Sequence, residues 1–480
     1  MKNRIELILG LIIIGVTLDF GGVLPLAYSL MEIGVFALVL VILVWQTRRG
    51  SIDLPLPVWP LLFGGFVALQ LVPLPTDWVA KLDPARVLPS AVMAMTATHG
   101  SFLTLSVYPH ATVLSLIKFF AYVAAFLLAA YLFDSHQRKS MLVTILIFLG
   151  LFEAAYGLVQ YLTGWQKIFT YRKVNYVNCA TGTFINHNHF AGFLELASPF
   201  VVASTFYYFQ IWQQGRRRGR AGSEATASAG FRVLFFVALL LVEIVAVIMS
   251  RSRAGIVATL FSLMFLVLLA QFKTRRKIWM AGLGAFVLAA VGYGLWIGLN
   301  PVLSRFEVLQ GGIQYLEAEG RLRAWQATLG AFHDFPVFGT GLGTFRTIFP
   351  RYQTYMVTYT FTHAHNDYLE VLEETGWIGT LLLWVPIFWL WIKMVRSFFT
   401  DTRRYRPAVT LGCIGGTLGL LIHSVADFNL HIPANAFVLA VVLGIGYKAA
   451  CVERKAERIQ QPSESPPAVA GGVPRKSGVV

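Results

Sequence analysis

Blocks of apolar residues, many of them about 18 residues or longer and nearly free of charge, recur from one end of the chain to the other. That is the length at which a helix crosses a bilayer, because every backbone N–H and C=O must be satisfied within the segment there. Of the 480 residues, 56% are hydrophobic and only 13% charged, about half the charged fraction of a soluble protein. The expected fold is all-α: a polytopic helical membrane protein.

The blocks give about twelve spans, near residues 5–20, 22–46, 57–74, 110–133, 140–163, 190–212, 232–250, 254–271, 278–298, 376–395, 407–424 and 434–450. The first flows into the second through Asp19-Phe20-Gly21-Gly22. It reads as a true span, since no small-residue cleavage site precedes a polar mature domain. The expected layout is a bundle of spans one to nine over 1–298, a large loop over 299–375, three further spans over 376–450 and a flexible tail over 451–480.

Lys and Arg set the orientation. With the N-terminus (Lys2, Arg4) taken as cytoplasmic, the dense clusters Arg48-Arg49, Arg138-Lys139, Arg216-Arg217-Arg218 with Arg220, and Lys273 with Arg275-Arg276-Lys277 all fall on the same side. So do Arg396 with Arg403, Arg404 and Arg406, and Arg454 with Lys455 and Arg458. The net charge of +15 is therefore mostly topology, and nothing calls for nucleic acid. Loop 213–230 and the tail from Gln460 read as flexible cytoplasmic segments. Cys179, Cys413 and Cys451 fall in three different compartments, which excludes a disulfide scaffold.

Histidine partitions the other way. His99, His110, His187, His189, His333, His363, His365 and His431 fall outside, His423 lies near the outer end of a span, and only His136 is cytoplasmic. The working face is therefore expected to be extracytoplasmic. Arg251 and Arg253, in MSRSRAGIV (249–257), sit in a tight outward turn with no acid within six residues on either side. They either snorkel to headgroups and cap helix ends, or form a fixed cationic clamp for an anionic ligand such as a diphosphate.

THAHNDYLEVLEETGWIG (362–379) concentrates polar chemistry just before an apolar run. Asp367 and Glu370 have capping-box spacing, so a helix is expected to begin near Asn366 or Asp367 and run into the span that starts about Gly376. His365 then lies ahead of a helix N-terminus, where anions are favoured. It is either a loop histidine bonded for structure or a general base, since imidazoles titrate near neutrality. Upstream, GRLRAWQATLGAFHDFPVFGTGLGTF (320–345) reads as an amphipathic helix from about Leu322 to Phe332, followed by a compact turn. Gly339, Gly341 and Gly343 have no preceding strand and no following Gly-Lys-Ser/Thr, which excludes a nucleotide-binding loop. Arg321 and Arg323 are second cations or solvated helix charges.

His365-Asn366, nine residues, then Gly376-Trp377-Ile378-Gly379 resembles the signature of the O-antigen ligase superfamily, which also includes Wzy-type polymerases and O-linked protein glycosyltransferases. GTFINHNHFAG (182–192), the outward SRSRAG, and GRLRAW followed by PVFGTGLGTF are similar to the same family; together they cover roughly residues 180–380. The resemblance implies a GT-C-like glycosyltransferase. Its donor would be a glycan on undecaprenyl diphosphate, and its acceptor lipid A-core sugar, another lipid-linked glycan or a protein hydroxyl. No nucleotide sugar, ATP or other cofactor is implied. His365 would orient or deprotonate the acceptor, and Arg253, helped by Arg251 and Arg321, would stabilise the departing diphosphate. Asn366, Asn186, Asn188 and Arg172 are the further substrate-binding candidates. The chain holds no Asp-x-Asp, so metal-independent catalysis is expected. It departs from the family at NYVNCATGTF, where ligases often carry an arginine; the nearest one here is Arg172.

Two other readings remain. Intramembrane Glu32, Lys118, Glu153, Glu195 and Glu243 could line the path of a small anion such as bicarbonate or of a proton. Alternatively, His187, His189, His363 and His365 could hold zinc.

Overall fold

A computed structural model of the chain describes residues 2–50, 54–87, 102–132, 136–275, 320–354 and 361–452. The expected span at 278–298, the loop residues 299–319, His99 and the tail from 453 onward lie outside the described residues.

Nine described helices are long and apolar enough to cross a bilayer. In chain order they are Pro25–Thr47 (α2), Pro109–Leu132 (α6), His136–Thr163 (α7, apolar from Met141), His187–Arg217 (α8), Glu224–Met249 (α9), Arg253–Thr274 (α10), Asp367–Thr400 (α13), Tyr405–His423 (α14) and Pro433–Tyr447 (α15, prolonged by a π-helical turn to Val452). The first apolar block forms Lys2–Leu18 (α1), with 17 residues, and the third forms Trp59–Gln70 (α3), with 12. Shorter helices are Thr76–Leu82 (α4), Pro84–Val87 (α5), Arg321–Asp334 (α11) and Phe345–Tyr352 (α12). The described strands form two antiparallel two-residue pairs, Leu74–Pro75 (β1) with Phe102–Leu103 (β2) and Lys167–Ile168 (β3) with Tyr171–Arg172 (β4). The protein is a polytopic helical membrane protein.

Helix α8 is the hub, packing on α7, α9, α10 and α14, while α15 packs on α6. The apolar windows of α8, α14 and α15 are 89%, 83% and 78% buried, against 28% for α2, α9 and α13, so the former are central and the latter face lipid. Water gives no drive to pair helices inside a bilayer, and close backbone approach replaces it. A Cβ on Gly412 would meet Phe200 Cδ1 at 2.5 Å, and one on Gly415 would meet Pro199 Cβ at 2.8 Å. The small residues of α14 thus let it lie against α8.

The described helices put the 182–192, 249–255 and 362–379 motifs at one end of the bundle, and the helix ends that carry Arg216-Arg217, Lys273 and Arg396 at the other. The basic end is tied by Lys273, whose Nζ donates to the carbonyls of Phe398 (2.5 Å) and Asp401 (2.9 Å). At the motif end each long helix starts on a defined cap: Asn186 for α8, Ser252 for α10 and Asn366 for α13. The expected Asp367–Glu370 capping box does not form. Asn366 Oδ1 accepts from the N–H groups of Tyr368 (3.0 Å) and Leu369 (3.1 Å), while Glu370 turns to His363 and Ala364.

Helix α13 is two arms joined at Gly376, where φ is +59° and ψ −169°. The Gly339–Gly343 turn clasps this break. Thr340 N–H donates to Glu373 O (3.0 Å), Gly341 N–H to Glu374 O (2.9 Å) and Trp377 N–H to Pro336 O (2.9 Å). A Cβ on Gly376 would lie 2.3 Å from Val337 O, and one on Gly339 would lie 2.3 Å from Thr375 N. Only glycine fits these two positions, sterically and by φ. The glycines of both motifs therefore serve one backbone-to-backbone joint.

Candidate active site

Two turns at the motif end carry His363, His365, Asp427 and His431. One, Thr362–Asn366, leads into α13; the other, residues 424–432, joins α14 to α15. Asp367, the first residue of α13, fastens them together: its N–H donates to Ser424 O (2.9 Å), and its carboxylate Oδ2 accepts from Leu430 N–H (3.2 Å).

His365 sits just ahead of the α13 cap in left-handed backbone, φ +52°, a conformation that costs a non-glycine residue about 1–2 kcal/mol. The surroundings hold it there. Trp325 Nε1 of α11 donates to Ala364 O (3.0 Å). Phe361 and Ala364 share a small buried core with Ala324 and Ala327 of α11 and Phe345 and Phe349 of α12. The amphipathic helix expected near 322–332 thus forms as α11 and supports the histidine turn.

His365 Nδ1 faces Asp427 Oδ1 at 3.2 Å, and the same oxygen accepts from Phe428 N–H at 2.9 Å. Asp427 is fully buried. Burial pushes its carboxyl up, but the hydrogen bond from His365 and the charges of His189, His423 and His365 outweigh that and hold it well below the usual carboxylate range. Asp427 is thus a fixed anion behind an imidazole that is itself partly open to solvent. Phe428 organises the neighbours: His363 stacks on it at 4.4 Å, while His365 and His189 meet it edge-on at 4.8 Å and 4.7 Å.

Arg321 comes into this cluster, its Nη1 donating to Ala426 O at 3.3 Å. Arg251 and Arg253 are both exposed at the same end. Arg251 has φ +60°, and its guanidinium lies 5.8 Å from the Tyr161 ring centroid. The SRSRAG turn is fastened to the GTFINHNHFAG segment, because Ala180 N–H donates to Met249 O (3.0 Å) and His187 Nδ1–H to Ser250 O (2.5 Å). Tyr176 links this region to the histidine turns: its ring lies 4.8 Å from that of His187. Burial and then Asp427 push its hydroxyl up while Arg321 pulls it back, so Tyr176 feels both groups. It stands in the NYVNCATGTF stretch that lacks the expected arginine.

The remaining candidates are placed differently. Arg172 is exposed on β4 opposite Lys167 and has no described contact with the histidine turns. Asn186 and Asn366 are buried caps whose side-chain oxygens accept backbone N–H groups, and Asn188 is buried in the first turn of α8. The four histidines of the zinc reading go to separate partners: His187 to Ser250, His189 to Asn186 (3.4 Å), His363 to Glu370 (2.7 Å) and His365 to Asp427. The sequence reading did not single out Asp427, Tyr176 or the pairing of His431 with α13. Burial pushes His431 down, yet Glu370, the hydrogen bond and charge of Asp367, and Glu374 push it up to about 10.

Beside the turns, a cavity of about 630 Å³ opens between α3, α6, α13 and α15. Phe63, Phe119, Phe126, Ile387, Leu439 and Leu443 give it apolar walls, and Arg346, His363, Glu370 and His431 give it a polar end.

Fold and site together define a multi-pass membrane protein that gathers imidazoles, carboxylates and guanidiniums at one end of its bundle. Residues 234–384 match the family model described as O-Antigen ligase (Wzy_C), so this segment is similar to the O-antigen ligase/Wzy-type family. The match supports, in general terms, a glycan-transferring function of the ligase/polymerase type. Among curated proteins, none matches the chain.

Proposed function

We propose that this protein transfers a glycan from undecaprenyl diphosphate to an acceptor hydroxyl at the periplasmic face of the bacterial inner membrane, with both termini cytoplasmic. The observation that carries the reading is His365 backed by the buried Asp427 at 3.2 Å. With Nδ1 directed to that carboxylate, Nε2 is left for an acceptor hydroxyl. As the acceptor oxygen bonds to the anomeric carbon, its proton passes to His365, and the bond from that carbon to the phosphate oxygen breaks. The diphosphate leaves with the electron pair. Arg253, Arg251 and Arg321 answer the growing charge by preorganised electrostatics. The 630 Å³ cavity, apolar along its walls, suits isoprene units of a lipid-linked donor; His365 and the three arginines lie outside its lining. No step of this reaction requires a metal.

The test is transfer in proteoliposomes, using a lipid-linked glycan donor and a defined acceptor. His365→Ala is expected to insert normally and to transfer nothing; full activity in that variant overturns the assignment. Cysteine labelling that placed Ser252 or Tyr368 on the cytoplasmic side would refute the orientation. In a deletion strain, unattached lipid-linked polymer marks a ligase, and single repeat units mark a polymerase.

The transport reading finds less support. Glu153 accepts from Thr183 N–H (2.8 Å) and Oγ1 (2.7 Å), and Glu195 pairs with His423 (2.8 Å), so both are fastened to neighbouring segments. Glu243 has no hydrogen-bond partner among the described residues, and Glu243→Gln separates the readings: a transporter stalls, whereas the transferase continues.

A further inference from the structure

We propose that His363, Glu370 and His431 form a binding site for a divalent transition metal of the zinc class, with Asp367 orienting His431. The donor atoms of the three side chains lie within 4.8 Å of one another. His363 Nδ1 is 2.7 Å and His431 Nε2 is 3.2 Å from the same oxygen, Glu370 Oε1. Donors bound to one zinc at about 2.0–2.2 Å stand about 3.3–3.6 Å apart, so side-chain adjustments of about an ångström close the set. Two imidazoles and a carboxylate are a donor set that zinc takes with a fourth position open, and here all three residues line the 630 Å³ cavity.

The surroundings are built for this arrangement. Asp367 Oδ1 accepts from His431 Nδ1 at 2.9 Å, which leaves Nε2 as the ligating nitrogen and fixes the ring plane. Glu370 Oε2 is occupied by Ala364 N–H at 2.7 Å, so Oε1 is the monodentate donor. An independent observation comes one turn further along α13. Glu374 is buried and lines the same cavity; its Oε1 accepts from Phe345 N–H, but its Oε2 has no hydrogen-bond partner among the described residues.

Charge points the same way. Asp367, Glu370, Glu373 and Glu374 are all buried within the first turns of α13, and among the described contacts only His363 and His431 pair with them. Arg346 is exposed at the cavity rim, and Lys118 lies 4.3 Å over the Tyr28 ring. A divalent ion supplies positive charge among these carboxylates. It also staples the turn that carries His365 to the turn that carries Asp427. The proposal concerns occupancy and does not depend on the transfer reading.

The test uses the full, tag-free chain in detergent, stripped with EDTA and titrated with zinc chloride, with bound metal measured by mass spectrometry and affinity by a chromophoric competitor. The wild type is expected to bind about one zinc per chain and to unfold at higher temperature with it. Asp367→Asn should bind about 10–100-fold more weakly. His363→Ala, at a partly exposed position, should lose at least as much, and His365→Ala should keep its zinc. Absence of stoichiometric zinc in the wild type, or unchanged affinity in His363→Ala, overturns the proposal.

Discussion

Asp427→Asn is the sharpest probe of the proposed mechanism, because it removes a charge and little else. Oδ1 accepts two hydrogen bonds, from His365 Nδ1 and Phe428 N–H, and Oδ2 has no partner among the described residues. An asparagine therefore keeps both acceptor contacts through its carbonyl and puts its amide where no bond is lost. What disappears is the anion facing an imidazole that gains a proton as the acceptor attacks. Two unit charges about 4 Å apart interact by about 4 kcal/mol at an effective dielectric of 20. Hydrogen bonds to charged groups contribute about 1.5–3 kcal/mol on the mutational scale, and that smaller range governs a site partly open to water. The expected fall in kcat is therefore about 10–150-fold, with KM little changed because the interaction strengthens as the proton arrives in the transition state. The assay is initial-rate transfer in proteoliposomes across a range of acceptor concentrations. His365→Ala combined with Asp427→Asn should be no slower than His365→Ala alone, since the two act as a unit. A change in kcat below about threefold, or one confined to KM, refutes the dyad. The neighbouring histidines hold Asp427 below the usual carboxylate range, so its own contribution to stability is present above that range and is lost as pH falls below it.

Arg253→Lys keeps the charge but not the planar fork, so transfer should fall about tenfold or more; a near-normal rate favours a headgroup-anchoring role. Gly376→Ala forces a Cβ to 2.3 Å from Val337 O in left-handed backbone, and thermal unfolding should show a loss of about 2–4 kcal/mol. Asp83, buried beside Arg86, has its carboxyl pushed up to about 7 by burial. The folded state then holds the proton more tightly than the unfolded chain, so stability falls as pH rises from about 4 to 7. Asp83→Asn should accordingly stabilise the protein more at pH 8 than at pH 5 in paired melting curves.

The sequence was most legible where a single segment carries its own physics. Apolar length located the nine described candidate spans, whereas the blocks near 5–20 and 57–74 form helices of only 17 and 12 residues. The Asn-Asp start of α13 and the amphipathic pattern of α11 fell within a few residues of the observed helices, although Asn366 caps where Asp367 was expected to. His365 was visible because a histidine stood before a helix start. Asp427 and His431 escaped because their meaning depends on contacts spanning about sixty positions, His365 to Asp427 and Asp367 to His431. A signal existed: His423-Ser-Val-Ala-Asp-Phe-Asn-Leu-His431 packs two histidines, an aspartate and an asparagine between adjacent spans. Gly339, Gly341 and Gly343 were correctly read as a turn, yet nothing local in them announces that they clasp α13.

The break at Gly376 also has a mechanical consequence. From Trp377 to Thr400 the lipid-facing arm of α13 is about 36 Å long, somewhat more than the hydrocarbon depth of about 30 Å. Such an excess is relieved by tilt, and the tilt changes with bilayer thickness. Because the helix is interrupted where the glycine turn grips it, the lower arm can lean as the membrane thins or thickens while Asp367–Thr375 stays seated, and the geometry around His365 is insulated from the lipid in which the protein sits.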